Sequence, residues 1–319
     1  MAAASNPSVL VELAAGDLAV RIAPAVGGAI AGFSRAGVPL LRETPAAALA
    51  DRRAGLCGSY AMIPYSNRIA DASFRFGGEA FRLARNFGDS PHSLHGNGWQ
   101  RAWEVAAARA DFVTLTLDHD PAESPARAAE WPFAYRGEQH FSLGLATLSV
   151  TLVVENRDGR PMPAGFGLHP YFDRAGAHLS FAAERVWQSD ARLLPTGRSA
   201  VPVGWDCRAL RPVDDVSAVD HCFEGWGGTA EIVYPERNIL ISISADPVFS
   251  KLVVFRADER SFFAVEPVSH MVDAVNRGDT ADNGLKTLAP GERLCGTIRF
   301  TVADAPEGPA MAGSTGGNR

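Results

Sequence analysis

Residues 139–155 read QHFSLGLATLSVTLVVE. Phe141, Leu143 and Leu145 alternate with polar or small residues, and then the phase slips, so that Leu148, Val150, Leu152 and Val154 carry the alternation instead. A period of two is that of a strand with one buried face. Two such runs out of phase by one position predict a tight hairpin or bulge near 144–147.

The same rhythm extends outward. Short alternating runs occupy 9–13, 18–22, 74–76, 112–117, 148–154, 232–234, 239–243, 252–255, 262–265 and 298–302. Turn-forming clusters separate them, such as Gly77-Gly78, Asn156 to Gly159 and Ala289 to Glu292. Repeated strands and turns without a long amphipathic helix predict an all-β sandwich or barrel with antiparallel sheets. The best helical candidate is Ala-rich and short, 121–130, and the Trp131-Pro132 step ends it. No internal repeat is visible. A single domain over 8–304 is expected, since β domains of this size often remain undivided. Residues 1–7 and 305–319, small or polar and without periodicity, read as frayed tails.

Composition narrows the function. The 319 residues are 46% hydrophobic, and 30 Lys and Arg stand against 36 Asp and Glu, a net charge of −6. That balance leaves no basic footprint for nucleic acid. The start of the chain shows no positively charged leader, and no apolar stretch is long enough to span a bilayer, which predicts a cytoplasmic protein with no membrane partner. Cys57, Cys207, Cys222 and Cys295 are far apart and form no CxxC pair. They read as reduced, buried thiols rather than a disulfide framework or a zinc site.

Four stretches offer chemistry. In 63–69, IPYSNRI, a proline-led loop sets Asn67 beside Arg68, whose planar fork suits hydroxyl or carboxylate oxygens but also a structural ion pair. In 91–99, PHSLHGNGW, His92 and His95 suggest metal ligands only weakly, because no carboxylate or cysteine accompanies them. A hydrogen-bonding His95 with Trp99 as a flat face for a ligand, or a simple turn with a half-buried Trp, are the other readings. In 165–172, GFGLHPYF, His169 sits among small and aromatic residues, either as a core histidine or as a proton carrier near neutral pH. In 262–267, FFAVEP, Glu266 ends an apolar strand, where desolvation raises a carboxyl toward a useful base. Asp220 adds a possible orienting carboxylate. A carboxylate base and an imidazole acid, with no nucleophile motif, nucleotide loop or metal set, suggest reversible proton transfer.

These residues, in this order, resemble the aldose 1-epimerase (galactose mutarotase) family over roughly residues 9–302. The matching pieces are the Pro-x-x-Asn-Arg-Ile block ending at Ile69, Leu94-His95-Gly96 and the His-x-Tyr-Phe of His169 to Phe172. Asp220 to Phe223, Glu266-Pro267 followed by Asp273 to Asn276, and Leu288 to Glu292 complete the series. The resemblance implies a β-supersandwich, a site free of cofactor and metal, and interconversion of the α and β anomers of a free sugar. It makes Glu266 the base, His169 the acid and His95 an assistant at the ring oxygen, with Arg68 and Asp220 on the sugar hydroxyls and Asn67 beside them.

The pattern departs from the galactose-active one: Leu168 stands where an Asn commonly precedes the His, the loop after His95-Gly96 is short, and no proline precedes Asp273. The short loop, with Trp99 and Arg101, is more similar to a divergent bacterial branch that includes enzymes for sugar phosphates and sulfosugars. Arg101 is thus either a contact for an anionic substituent or a loop salt bridge. A non-catalytic sugar-binding or sugar-sensing domain on the same fold is the competing reading, and a monomer or homodimer is expected.

Overall fold

In a computed structural model of the chain, which describes residues 10–278, 280 and 282–306, the opening stretch forms the strands Tyr135–Leu143 and Thr147–Asn156. Leu143 opposes Leu148, Phe141 opposes Val150 and Gln139 opposes Leu152. Opposed residues of antiparallel strands share a face, so the phase slip brings both apolar sets to one core. The turn closes where Gly144 N–H donates to the Thr147 carbonyl at 2.8 Å. Leu145, which the alternation includes, is 77% exposed at the tip.

This hairpin lies within a nine-stranded sheet. Its order is Glu104–Arg109, Phe112–His119, Tyr135–Leu143, Thr147–Asn156, Arg293–Ala303, Ile239–Ala245, Thr229–Tyr234, His178–Phe181 and Arg211–Pro212. An eight-stranded antiparallel sheet runs Pro195–Ala200, Arg185–Ser189, Val219–Glu224, Lys251–Arg256, Phe262–Val268, Gly167–Leu168 and Ala61–Met62, with Tyr171–Asp173 also paired to Phe262–Val268. Phe141, Val150, Ile241 and Phe300 from the first sheet meet Phe223, Leu252, Val254 and Phe263 from the second in one core. Each fully buried large side chain there contributes about 1.5–3 kcal/mol. An N-terminal meander, Val11–Ala15, Leu18–Ala23, Ala29–Arg35 and Val38–Pro39, completes the main body.

The fold is therefore mostly antiparallel sheet with few short helices, as the alternation predicts. The helical candidate splits into a 3-10 turn, Pro121–Glu123, and an α-helix, Pro125–Glu130, capped by Ser124 and ended at Trp131. One expectation needs correction: Cys57, Cys207 and Cys222 are buried, but Cys295 is exposed. It occupies an outward position of a strand whose side chains alternate between core and solvent. Strands such as Ala29–Arg35 and Val219–Glu224 were not among the alternating runs, because Gly and Ala in one and Asp220-His221 in the other dilute the apolar period. Residues 1–7 and all but two of 305–319 lie outside the described residues. Among the described residues no helix is long and apolar enough to cross a membrane.

Candidate active site

The two faces of the eight-stranded sheet have opposite characters. One carries Phe172, Phe223, Val254 and Phe263 into the core. The registers Cys222↔Val253↔Glu266 and Asp220↔Phe255↔Ala264↔Tyr171 place Asp220, Glu266 and Tyr171 together on the other face. Alternation along a strand thus sets the chemistry one residue out of step with the packing.

His169 reaches Glu266 by the same rule. Gly167 pairs with Val268 and Tyr171 with Ala264. The same register carried between these pairs sets His169 opposite Glu266. Pro170 and Pro267 have no N–H and interrupt the ladder there. His169 N–H instead donates to the Tyr60 carbonyl at 2.9 Å. The His169 Nε2 lies 3.2 Å from Glu266 Oε1. Glu266 is 2% exposed and lies within the strand Phe262–Val268 rather than at its end. Burial raises its carboxyl well above the ordinary value, with Asp220 adding to the effect. Burial also holds the His169 imidazole well below its ordinary value, helped by His95 and Arg42. Both groups are therefore pushed toward their uncharged forms.

A second wall is built by two loops. Arg68 pairs with Leu94 and Ile69 with Ser93 in a short ladder, and Ile63 bridges Gly96. Gly96 has φ +67°, and a Cβ there would come within 2.0 Å of the Ile63 carbonyl oxygen. Only glycine permits both the conformation and the approach. The neighbouring His95 is buried, and its Nδ1 accepts the Asn67 N–H at 3.1 Å. Its proton therefore sits on Nε2. Burial, and secondarily Arg68, lowers its pKa to about 3, which makes it a neutral donor. Arg68 donates to Asp220 Oδ2 at 3.1 Å and to Asn67 Oδ1 at 3.0 Å. The His95 and His169 rings meet edge to face, with centroids 5.5 Å apart.

Six of the eight candidates, Glu266, His169, His95, Arg68, Asp220 and Asn67, thus converge. Trp99 stands behind them: its indole N–H donates to the carbonyls of Leu94 and Gly96, and its ring stacks on Tyr60. Arg101 is engaged elsewhere. Its guanidinium is held in two hydrogen bonds by Glu130, which also accepts from Asn97 Nδ2 at 3.0 Å. Both nitrogens of His92 are taken up, Nδ1 by the Asp71 N–H and Nε2 by the Arg192 carbonyl.

Sequence reasoning missed Tyr60 and Arg42 and assigned no role to Tyr171. The Tyr60 and Tyr171 rings both pack against the His169 imidazole, with centroids 4.9 and 4.4 Å away. The Arg42 guanidinium covers the Tyr171 ring at 3.8 Å and donates to the carbonyls of Gly55 and Cys57. Arg42 lies over a hundred residues from Tyr171 in the chain, with no local motif to announce it.

The family model described as aldose 1-epimerase matches residues 10–301. Uncharacterized protein YphB of Escherichia coli strain K12 is 29% identical over 285 residues, which cover 86% of this chain and 93% of that protein. The crystal structure of a putative aldose 1-epimerase from Escherichia coli K12 superposes with a TM-score of 0.83 at 27% identity, covering 93% of this chain and 99% of that one. A galactose mutarotase-like protein from Clostridium acetobutylicum shares the fold with a TM-score of 0.81 at 20% identity, covering 93% of this chain and 95% of its own. With the family model spanning nearly all the described residues around this histidine and glutamate pair, the chain belongs to the aldose 1-epimerase family.

Proposed function

We propose that the chain is a cofactor-independent mutarotase that interconverts the α and β anomers of a free aldose. The observation that carries this reading is the 3.2 Å contact between the His169 Nε2 and Glu266 Oε1 in a buried position beside Arg68 and Asp220. One proton shared by the pair gives either carboxylic acid with imidazole or carboxylate with imidazolium. Burial favours the uncharged form, and a transfer within the pair yields a base and an acid side by side.

With a sugar in place, Glu266 takes the proton from the anomeric hydroxyl as His169 protonates the ring oxygen. The bond between the anomeric carbon and the ring oxygen breaks, leaving an open-chain aldehyde. The aldehyde turns about its bond to the next carbon. On closure the ring hydroxyl returns its proton to His169 while Glu266 protonates the new anomeric oxygen, as microscopic reversibility demands. His95 donates from Nε2 toward the ring oxygen, and Arg68 with Asp220 holds the sugar hydroxyls. The uncatalysed exchange is already measurable in water, so the roughly 10²–10⁴-fold supplied by a positioned acid and base is of the right order.

The test is anomer exchange followed by NMR or polarimetry. Glu266→Gln and His169→Asn each bring exchange on the preferred sugar close to the uncatalysed rate while sugar binding persists. Full activity in either variant overturns the reading, and a wild-type chain that binds sugars without exchanging them favours the sugar-sensing alternative.

A further inference from the structure

A catalytic histidine is commonly oriented by a hydrogen bond at its second ring nitrogen. His169 departs from that pattern: its Nδ1 is buried and has no hydrogen-bond partner among the described residues. The orientation of the ring must come from its packing and from Nε2. Tyr60 stacks on the imidazole and Tyr171 packs against it at a tilt. At Nε2 two groups compete for one valence, Glu266 Oε1 at 3.2 Å and the Tyr171 hydroxyl at 3.4 Å.

We propose that Tyr171 is a positioning residue for proton transfer, whose hydroxyl holds the His169 Nε2 once the sugar has drawn Glu266 to the anomeric hydroxyl, yields it to the ring oxygen for the transfer, and donates to the bare Nε2 afterwards. The proposal rests on the mutarotase reading above.

Nε2 alternates during the cycle between an N–H and a bare lone pair. A hydroxyl is suited to both states, since it accepts from the first and donates to the second. Burial pushes the Tyr171 phenol up to about 12, so it keeps its own proton and does not act as a rival base. Its ring cannot drift. Arg42 lies over one face, the Tyr171 N–H donates to the Gly58 carbonyl, and the Tyr171 carbonyl accepts from the Arg42 N–H at 2.8 Å.

Tyr171→Phe keeps the ring between His169 and Arg42 and removes only the hydroxyl. In the full chain we expect kcat to fall about tenfold with KM within about twofold, the loss of one hydrogen bond at the reacting centre. The ¹⁵N resonance of the His169 Nε2 moves at the same time. Should Tyr171→Phe not fold, 3-fluorotyrosine at position 171, a stronger donor in an otherwise similar ring, moves that resonance and changes kcat in the native chain.

The proposal is overturned if kcat is unchanged, or if kcat falls while the Nε2 resonance stays in place. A silent fluorotyrosine chain overturns it too. A wild-type chain without anomer exchange fails the mutarotase reading in its own assay, before any variant is compared, and takes this proposal with it.

Discussion

Asn67 and His95 hold each other through two hydrogen bonds: the His95 N–H donates to the Asn67 carbonyl at 2.9 Å, and the Asn67 N–H donates to the His95 Nδ1 at 3.1 Å. Both residues are in the left-handed region, with φ of 57° and 60°, a conformation that costs energy outside glycine and that the surrounding contacts sustain. The bond at Nδ1 fixes the tautomer and leaves Nε2–H free to donate.

His95→Ala removes that donor, and kcat/KM on the preferred sugar should fall about 10²-fold, the usual cost of deleting a donor aimed at developing charge. Because burial lowers the imidazole to about 3, His95 stays neutral across the working range. The deficit should therefore keep the same size from about pH 5 to pH 8. Initial rates of anomer exchange at several pH values check this, and a deficit that vanishes at one end of the range would show that His95 acts by titrating.

The legible part of the sequence was the part governed by period and by motif. Residues 139–155 disclosed their hairpin because a turn between out-of-phase runs is the simplest way to bury both. Glu266 was conspicuous as a charge in an apolar strand, yet nothing local shows that His169 stands in register with it. That pairing depends on two short segments on either side of Pro170 aligning with one strand far along the chain. Arg101 shows the limit from the other side: its place in the loop fits an anion contact as well as the favoured salt bridge, and only the packing of the Pro125–Glu130 helix against that loop selects Glu130 as its partner.

That partnership separates two sets of variants. Arg68 and Asp220 form an ion pair beside the proposed acid and base, so Arg68→Lys and Asp220→Asn should each raise KM about tenfold by weakening the hold on sugar hydroxyls. Arg101→Ala should leave KM for neutral sugars unchanged and lower stability by about 1 kcal/mol, since a partly exposed ion pair is lost. Exchange assays with glucose, galactose, a sugar 6-phosphate and a sulfosugar test both sides. A selective loss of the anionic sugars in Arg101→Ala would reinstate Arg101 as a substrate contact.

The buried histidines also predict how the fold responds to acid. His270 accepts the Ser66 N–H at Nε2, donates from Nδ1 to the Met271 carbonyl, and is lowered by burial to about 4, while His95 is lowered to about 3. Below about pH 6.5 the unfolded chain protonates both rings, but the folded chain does not until these lower values are reached. Their contribution to stability is present above about pH 6.5 and is lost as the pH falls toward 4 and 3. Between pH 7 and pH 5 each histidine should account for a loss of about 2 kcal/mol. Glu266 acts in the opposite sense, because its carboxyl is raised in the fold and so takes up a proton where the unfolded chain's carboxylate is still charged. Urea unfolding at pH 7 and pH 5 should therefore show a steeper acid loss in Glu266→Gln than in the wild type, and a shallower one in His270→Gln. A wild-type midpoint that stays level together with an unchanged slope in both variants would mean that neither histidine is buried in its neutral form.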